Sequence, residues 1–216
     1  MESWKGHLER EAARFADGAE RIPDDPDARQ RQLTRMGNAA YGAGLAQLML
    51  GEPAADWFTR AAKTYERSYE DAPPASWGRL VAMMKSAILA EDWRSAERYA
   101  KRTLDEHAAD AESPIGRYAA ALAHLTLGQM EEARVAADSI REREDFPNDV
   151  ADALATLAAE DVLGYTYAIE SVLESFEQRD EHLEDIPVAD TVLVLQAFAR
   201  RHRMAAELAS PLLPPG

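Results

Sequence analysis

The sequence predicts an all-α fold of stacked antiparallel helix pairs, about ten helices in a single domain spanning residues 1–216. Three observations predict it. Ala occurs 42 times and Leu 21 times against 14 Val plus Ile, so helix formers dominate and strand formers are scarce. Apolar residues recur at three- and four-residue spacing through most of the chain. Pro74, Pro114, Pro147 and Pro187 stand 40, 33 and 40 residues apart, a rhythm of helix starts. A chain of this length buries roughly 70% of its unfolded surface, enough for a sizeable core.

The first helix is predicted over 3–20, with Trp4, Leu8, Phe15 and Ala19 near helical spacing. It stops in the turn-rich run Ile22-Pro23-Asp24-Asp25-Pro26-Asp27. A second helix over 28–50 carries Leu33, Met36, Ala40, Leu45 and Leu48 and ends at Gly51. Pro53 opens a third over 53–71, whose Trp57, Ala61, Tyr65 and Tyr69 form a four-residue stripe. Pro73-Pro74 breaks the chain again.

From there the sequence repeats. Pro74-Ala75-Ser76-Trp77-Gly78-Arg79 and Ser113-Pro114-Ile115-Gly116-Arg117 each begin a helix. At an offset of 38, Gly78 aligns with Gly116, Arg79 with Arg117, Ala82 with Ala120 and Leu89 with Leu127. Each first helix is followed closely by a second, beginning at Asp92-Trp93 in one unit and Met130-Glu131 in the other. Pro147 and Pro187 open two further first helices. Within the last, the β-branched run of Pro187–Leu195 admits a strand, but a lone strand has nothing to pair with, so the segment reads as a buried helix. A period of this length with two helices per unit marks a helical repeat array.

Leu125-Thr126-Leu127-Gly128-Gln129-Met130-Glu131-Glu132-Ala133-Arg134 resembles the turn and second-helix start of a tetratricopeptide repeat (TPR). In that family Gly ends the first helix, and Ala five residues later lets the pair approach. Leu89 to Ala96 is a looser match with one extra residue, and the resemblance covers 28–143 and, faintly, 147–209. It implies a TPR-like helix stack. Arg117 and His124 stand where the family places Trp and Tyr, which weakens any transfer of its peptide groove. Trp77 to Ala100 is also faintly similar to an all-helical immunity-protein family of bacterial toxin systems. The repeat signal fades near Phe146, where a sub-boundary would fall.

Asp plus Glu number 39 against 24 Lys plus Arg, a net charge of −15. Such a surface repels phosphate backbones, which argues against a nucleic-acid partner. Only four of the basic residues are Lys: Lys5, Lys63, Lys85 and Lys101. An acid excess spread along the whole chain, with Lys almost removed, points to work in concentrated salt, as in a halophilic prokaryote. Mimicry of nucleic acid or capture of a basic partner is the rival explanation. No apolar run approaches the roughly 20 residues needed to span a bilayer, so no membrane partner is expected. Met1 to Lys5 shows no export signal, which makes the cytoplasm the expected location.

The sequence contains no Cys, phosphate-binding loop, nucleophile elbow or paired-His metal motif, so no cofactor, metal or catalytic residue is expected. The densest polar cluster, Glu177 to Asp185, reads as a helix C-terminus and hydrated turn. Trp57, Tyr65, Trp77, Trp93, Tyr99 and Tyr118 read as core filling between Ala-rich helices. Arg79 and Arg117 occupy one repeat position, with Ser86 and His124 two turns further on. These four form a candidate strip for a partner's carboxylate, the alternative being that each Arg ties down a neighbouring Asp or Glu. The expected function is therefore a non-catalytic protein-interaction module with a protein partner. An inhibitor of a basic toxin, and an enzyme or ligand carrier using the Arg79, Arg117 and His124 face, are the alternatives.

Overall fold

The structure is a computed structural model describing residues 3–141 and 143–215. It is all-α: the described residues form ten α-helices and two short 3-10 turns, with no strand among them. They group into two compact units that the chain enters alternately. The first comprises residues 1–92, 180–188 and 211–216, and the second comprises 93–179 and 189–210.

The first unit holds α1 (Trp4–Ala19), α2 (Pro26–Met49), α3 (Ala55–Glu70) and α4 (Trp77–Leu89), each packed on its neighbour in sequence. Ser3 caps α1 by accepting from the Gly6 N–H, and Asp25 caps α2 by accepting from Ala28, with Pro26 in the first turn. The long α2 is the centre of this unit, with Gly and Ala along its buried faces. A Cβ on Gly37 would lie 2.7 Å from the Tyr65 ring, and one on Gly44 2.7 Å from Phe58. Two rings of α3 thus lie directly on the α2 backbone, a closeness that outweighs the ~1 kcal/mol helical cost of each Gly. α2 ends as its sequence predicts, with Gly51 at φ 72°.

One buried charge organises the rest of this unit. The side chain of Glu11 on α1 is fully buried, and its carboxylate accepts from Arg10 Nε at 2.8 Å and Arg14 Nη1 at 2.9 Å. Arg14 also meets Glu184 at 2.5 Å, and Arg10 donates to the Glu184 carbonyl at 3.0 Å. Asn38 on α2 donates to Glu184 Oε1 at 2.9 Å, while the Tyr65 hydroxyl donates to Asn38 Oδ1 at 2.7 Å. Burial opposes the charge on Arg14, but Glu184 and Glu11 outweigh it and raise the guanidinium above its ordinary value. The segment 180–188 is thereby fixed to α1 and α2, with Ile186 and Val188 buried beside it. Glu184 and Asp185 hold left-handed backbone, at φ 54° and 56°. The Glu177 to Asp185 cluster is therefore only partly a hydrated turn, because Glu184 is taken up by two arginines.

The second unit holds α5 (Trp93–Asp105), α6 (Pro114–Thr126), α7 (Met130–Arg141), α8 (Asn148–Ala158), α9 (Val162–Glu177) and α10 (Asp190–Arg201). From α5 to α9 each helix packs on the next, and α10 packs on α8 and α9. Ala96, Ala120, Ala133, Ala137 and Ala153 are buried at these contacts, and the small side chains let the helices approach closely. Of the aromatics expected to fill the core, Tyr99 and Tyr118 are buried here and Tyr65 in the first unit, whereas Trp57, Trp77 and Trp93 are only half-buried; Tyr165 is buried as well. Gly128 closes α6 at φ 72°. Residues 187–189 are not helical, and the β-branched run then continues as the buried helix α10, with no partner strand among the described residues.

Removing the buried carboxylate by Glu11→Leu leaves Arg10 and Arg14 facing an apolar side chain. We expect a loss of about 3 kcal/mol in denaturant unfolding. Faster amide exchange in residues 180–188 should accompany it; unchanged exchange there would show that the cluster does not hold the segment.

Tyr165 supplies the pH test. Burial raises its hydroxyl well above the ordinary value, with Arg200 opposing weakly, and the hydroxyl donates to Gln196 at 3.1 Å. A raised folded-state pKa means that the unfolded chain releases this proton first. Stability from this group is complete below about pH 10 and is lost as pH rises beyond it. Tyr165→Phe should cost about 1 kcal/mol at neutral pH and flatten the alkaline limb of stability against pH.

Candidate functional site

The four residues of the candidate strip fall two in each unit: Arg79 and Ser86 in the first, Arg117 and His124 in the second. Arg79, half-buried near the start of α4, reaches across to α2 and α3. Its Nε donates to Ser68 Oγ at 2.9 Å and Thr34 Oγ1 at 3.1 Å, and its Nη2 donates to Gln30 Oε1. All three partners are neutral. Burial draws the guanidinium below its ordinary value, and Tyr69 opposes the shift. Nη1 has no partner among the described residues.

Arg117 is half-buried on α6, and its Nε donates to the Ala111 carbonyl at 2.9 Å. Neither terminal nitrogen of Arg117 has a partner among the described residues. The two arginines therefore do not tie down neighbouring carboxylates. This differs from Arg14, Arg29, Arg141 and Arg143, each of which meets an Asp or Glu within 3.0 Å. Ser86 is fully buried and bonds the Ala82 carbonyl of its own helix at 2.6 Å, so its hydroxyl serves α4 itself.

His124 Nδ1 donates to Gln129 Oε1 at 2.7 Å across the α6–α7 turn. Gln129 in turn lines an open concavity of about 550 Å³ on the second unit, with Glu97, Lys101, Leu104, Asp105 and Leu127. Glu97, Lys101 and Asp105 lie four residues apart on one face of α5, so this hollow presents both signs of charge around two leucines. None of the four strip residues lines it directly.

A second surface was not singled out by the sequence reading. On α9 the buried face is Tyr165, Ala168, Ile169, Val172, Leu173 and Phe176. The opposite face leaves Leu163 72% and Tyr167 70% exposed, and Val162 in the first turn is 50% exposed. Exposed apolar side chains clustered on one helix mark an interaction surface, whereas isolated ones are ordinary. The signal that finds this face is the amphipathic register of α9, in which apolar residues outnumber the positions that its neighbours can cover.

The surrounding charge is one-sided. Between Arg143 and Arg179 the chain has nine Asp and Glu and no Lys or Arg. Arg141 reaches Asp152 at 2.6 Å and Arg143 reaches Asp145 at 2.8 Å, but Glu170 and Glu174 have no ionic or hydrogen-bond partner among the described residues. The buried Oδ2 of Asp149, in the first turn of α8, also lacks one. Among the described residues no group of His, Asp and Glu is arranged to hold a metal ion, and no helix is long and apolar enough to cross a membrane.

In comparisons with known proteins, no family model, curated protein or solved structure matches the chain.

Proposed function

We propose that the chain is a non-catalytic protein-interaction module built of tetratricopeptide-like helix pairs and adapted to concentrated salt, as in a halophilic prokaryote. The observation that carries this reading is Arg117. In a molecule with 15 excess negative charges, its two terminal nitrogens are left without a carboxylate among the described residues. A guanidinium fixed at Nε by a backbone carbonyl presents its outer donors in a set geometry, which suits bidentate capture of a partner's carboxylate. In the same unit as Arg117, His124 bonds Gln129, which lines the mixed-charge hollow, and in the other unit Arg79 keeps Nη1 as a separate donor.

The runner-up of the same broad type is an inhibitor of a basic toxin, and the base-free stretch between Arg143 and Arg179 favours it. An enzyme or ligand carrier would need a pocket enclosing Arg79, Arg117 and His124 with buried carboxylates. The open hollow beside Gln129 gives that alternative less support than a surface for protein contact.

Affinity capture from the source lysate at its native salt, read by mass spectrometry, tests the reading. Arg117→Ala should cost about 1 kcal/mol, the net worth of one hydrogen bond, while abolishing capture of the partner. Capture unchanged by the substitution would remove Arg117 from recognition, and a loss well above that figure would mark it as a structural residue.

A further inference from the structure

We infer that the exposed face of α9 docks a cationic amphipathic helix of a partner protein. The partner's apolar residues would sit on Leu163 and Tyr167, and its Lys or Arg residues over Glu170, Glu174 and Glu177. This deepens the interaction-module reading and rests on it, but it uses a surface separate from Arg79 and Arg117.

Leu163, Tyr167, Glu170, Glu174 and Glu177 follow one another at spacings of four, three, four and three. That alternation keeps residues on one stripe of a helix and is the spacing with which helices pack side by side. All five are exposed. The stripe runs about 21 Å at ~1.5 Å per residue, the length of four turns of an opposing helix.

Its two halves differ in chemistry. The N-terminal half is apolar and the C-terminal half is anionic, and the negative end of the α9 dipole adds to the three carboxylates. No Lys or Arg lies on α9 or α8; Arg179, just beyond α9, stacks on Phe176, and Arg200 and Arg201 stand on α10, but none of them pairs with these carboxylates among the described residues. Glu177 receives one hydrogen bond, from Ser210 Oγ at 2.6 Å, which leaves its charge in place. A second acidic surface of this kind would be repelled, and a neutral apolar segment would leave the carboxylates unpaired. The occupant that satisfies both halves is apolar at one end and basic at the other.

Such docking would hold in concentrated salt. Screening weakens the charge pairs there, while burial of Leu163 and Tyr167 keeps its full value or gains. At low salt both halves contribute.

The test uses the full chain and a dye-labelled helical peptide as long as α9, carrying two Leu and then three Arg at the same alternating spacing. A control peptide of equal charge carries Ser in place of Leu. By fluorescence anisotropy at about 0.15 M KCl, the Leu peptide should bind at least ~10-fold more tightly than the control. Leu163→Ser with Tyr167→Ser should erase that preference. Glu170→Gln with Glu174→Gln should weaken both peptides and reduce their salt dependence. Val135→Ser on α7, also at an exposed apolar residue, should change neither result. Circular dichroism melts establish that every variant is folded.

Equal binding of both peptides, or a double-serine variant that binds as the parent does, would show only general attraction to an acidic molecule and would overturn the proposal. So would a parent chain that sediments as a dimer and becomes monomeric on Tyr167→Ser, because the occupant would then be a second copy. A parent chain that shows no peptide preference while its partner capture still depends on Arg117 would remove the α9 docking face and leave the interaction module standing.

Discussion

Mutual repulsion of carboxylates is the constraint under which every other feature of this molecule is arranged. With 39 acidic residues and 24 Lys plus Arg, cations are the scarce component, and their placement is informative. Arg10 and Arg14 go to Glu11, a fully buried carboxylate that would otherwise be costly, and together with Glu184 they close a network across α1, α2 and the 180–188 segment. A buried carboxylate left alone would cost several kcal/mol, so these two arginines are fixed by the fold. Others sit at helix surfaces beside an acidic neighbour, where a pair contributes only about 0–1 kcal/mol. Against that pattern, Arg79 and Arg117 stand apart because they face neutral groups, and α8 with α9 stands apart because it has no cation at all.

Much of the fold was legible in the sequence, because its signals are local. Gly51 and Gly128 adopt the left-handed backbone that ends a helix, and Pro26 and Pro114 sit in first turns where their missing N–H has no intrahelical partner. Ala96 and Ala133 are buried where a helix pair needs small residues. The Val and Leu run after Pro187 is helical because no other strand exists among the described residues to accept its backbone hydrogen bonds. By contrast, Glu11 lies in a run of charged residues that reads as a solvated helix face. Its burial depends on Glu184, a partner distant in sequence, and on Asn38 and Tyr65, so no local pattern reports it.

The candidate site was less legible, for a related reason. Repeat spacing reads Arg79 and Arg117 as equivalent; the structure places one in each unit, both half-buried. The same spacing also selected Ser86, whose small hydroxyl turns back onto its own helix. Counting acids alone showed them spread along the chain and hid the α9 face. Counting bases as well isolates the interval from Arg143 to Arg179, and the four-three spacing of Leu163, Tyr167, Glu170, Glu174 and Glu177 then places the exposed residues on one stripe.

The most direct test of this account is thermal stability against salt. At about 0.01 M salt the repulsion acts over ~30 Å, and by about 1 M it is confined to ~3 Å. Far-UV circular dichroism melts from about 0.05 to about 2 M KCl should show Tm rising steeply at first. They should show it still rising beyond about 0.5 M, where screening is nearly complete and only hydration of a carboxylate-rich surface and stronger apolar burial remain. A Tm that stays flat across the whole series would contradict salt adaptation and assign the acid excess to partner binding alone.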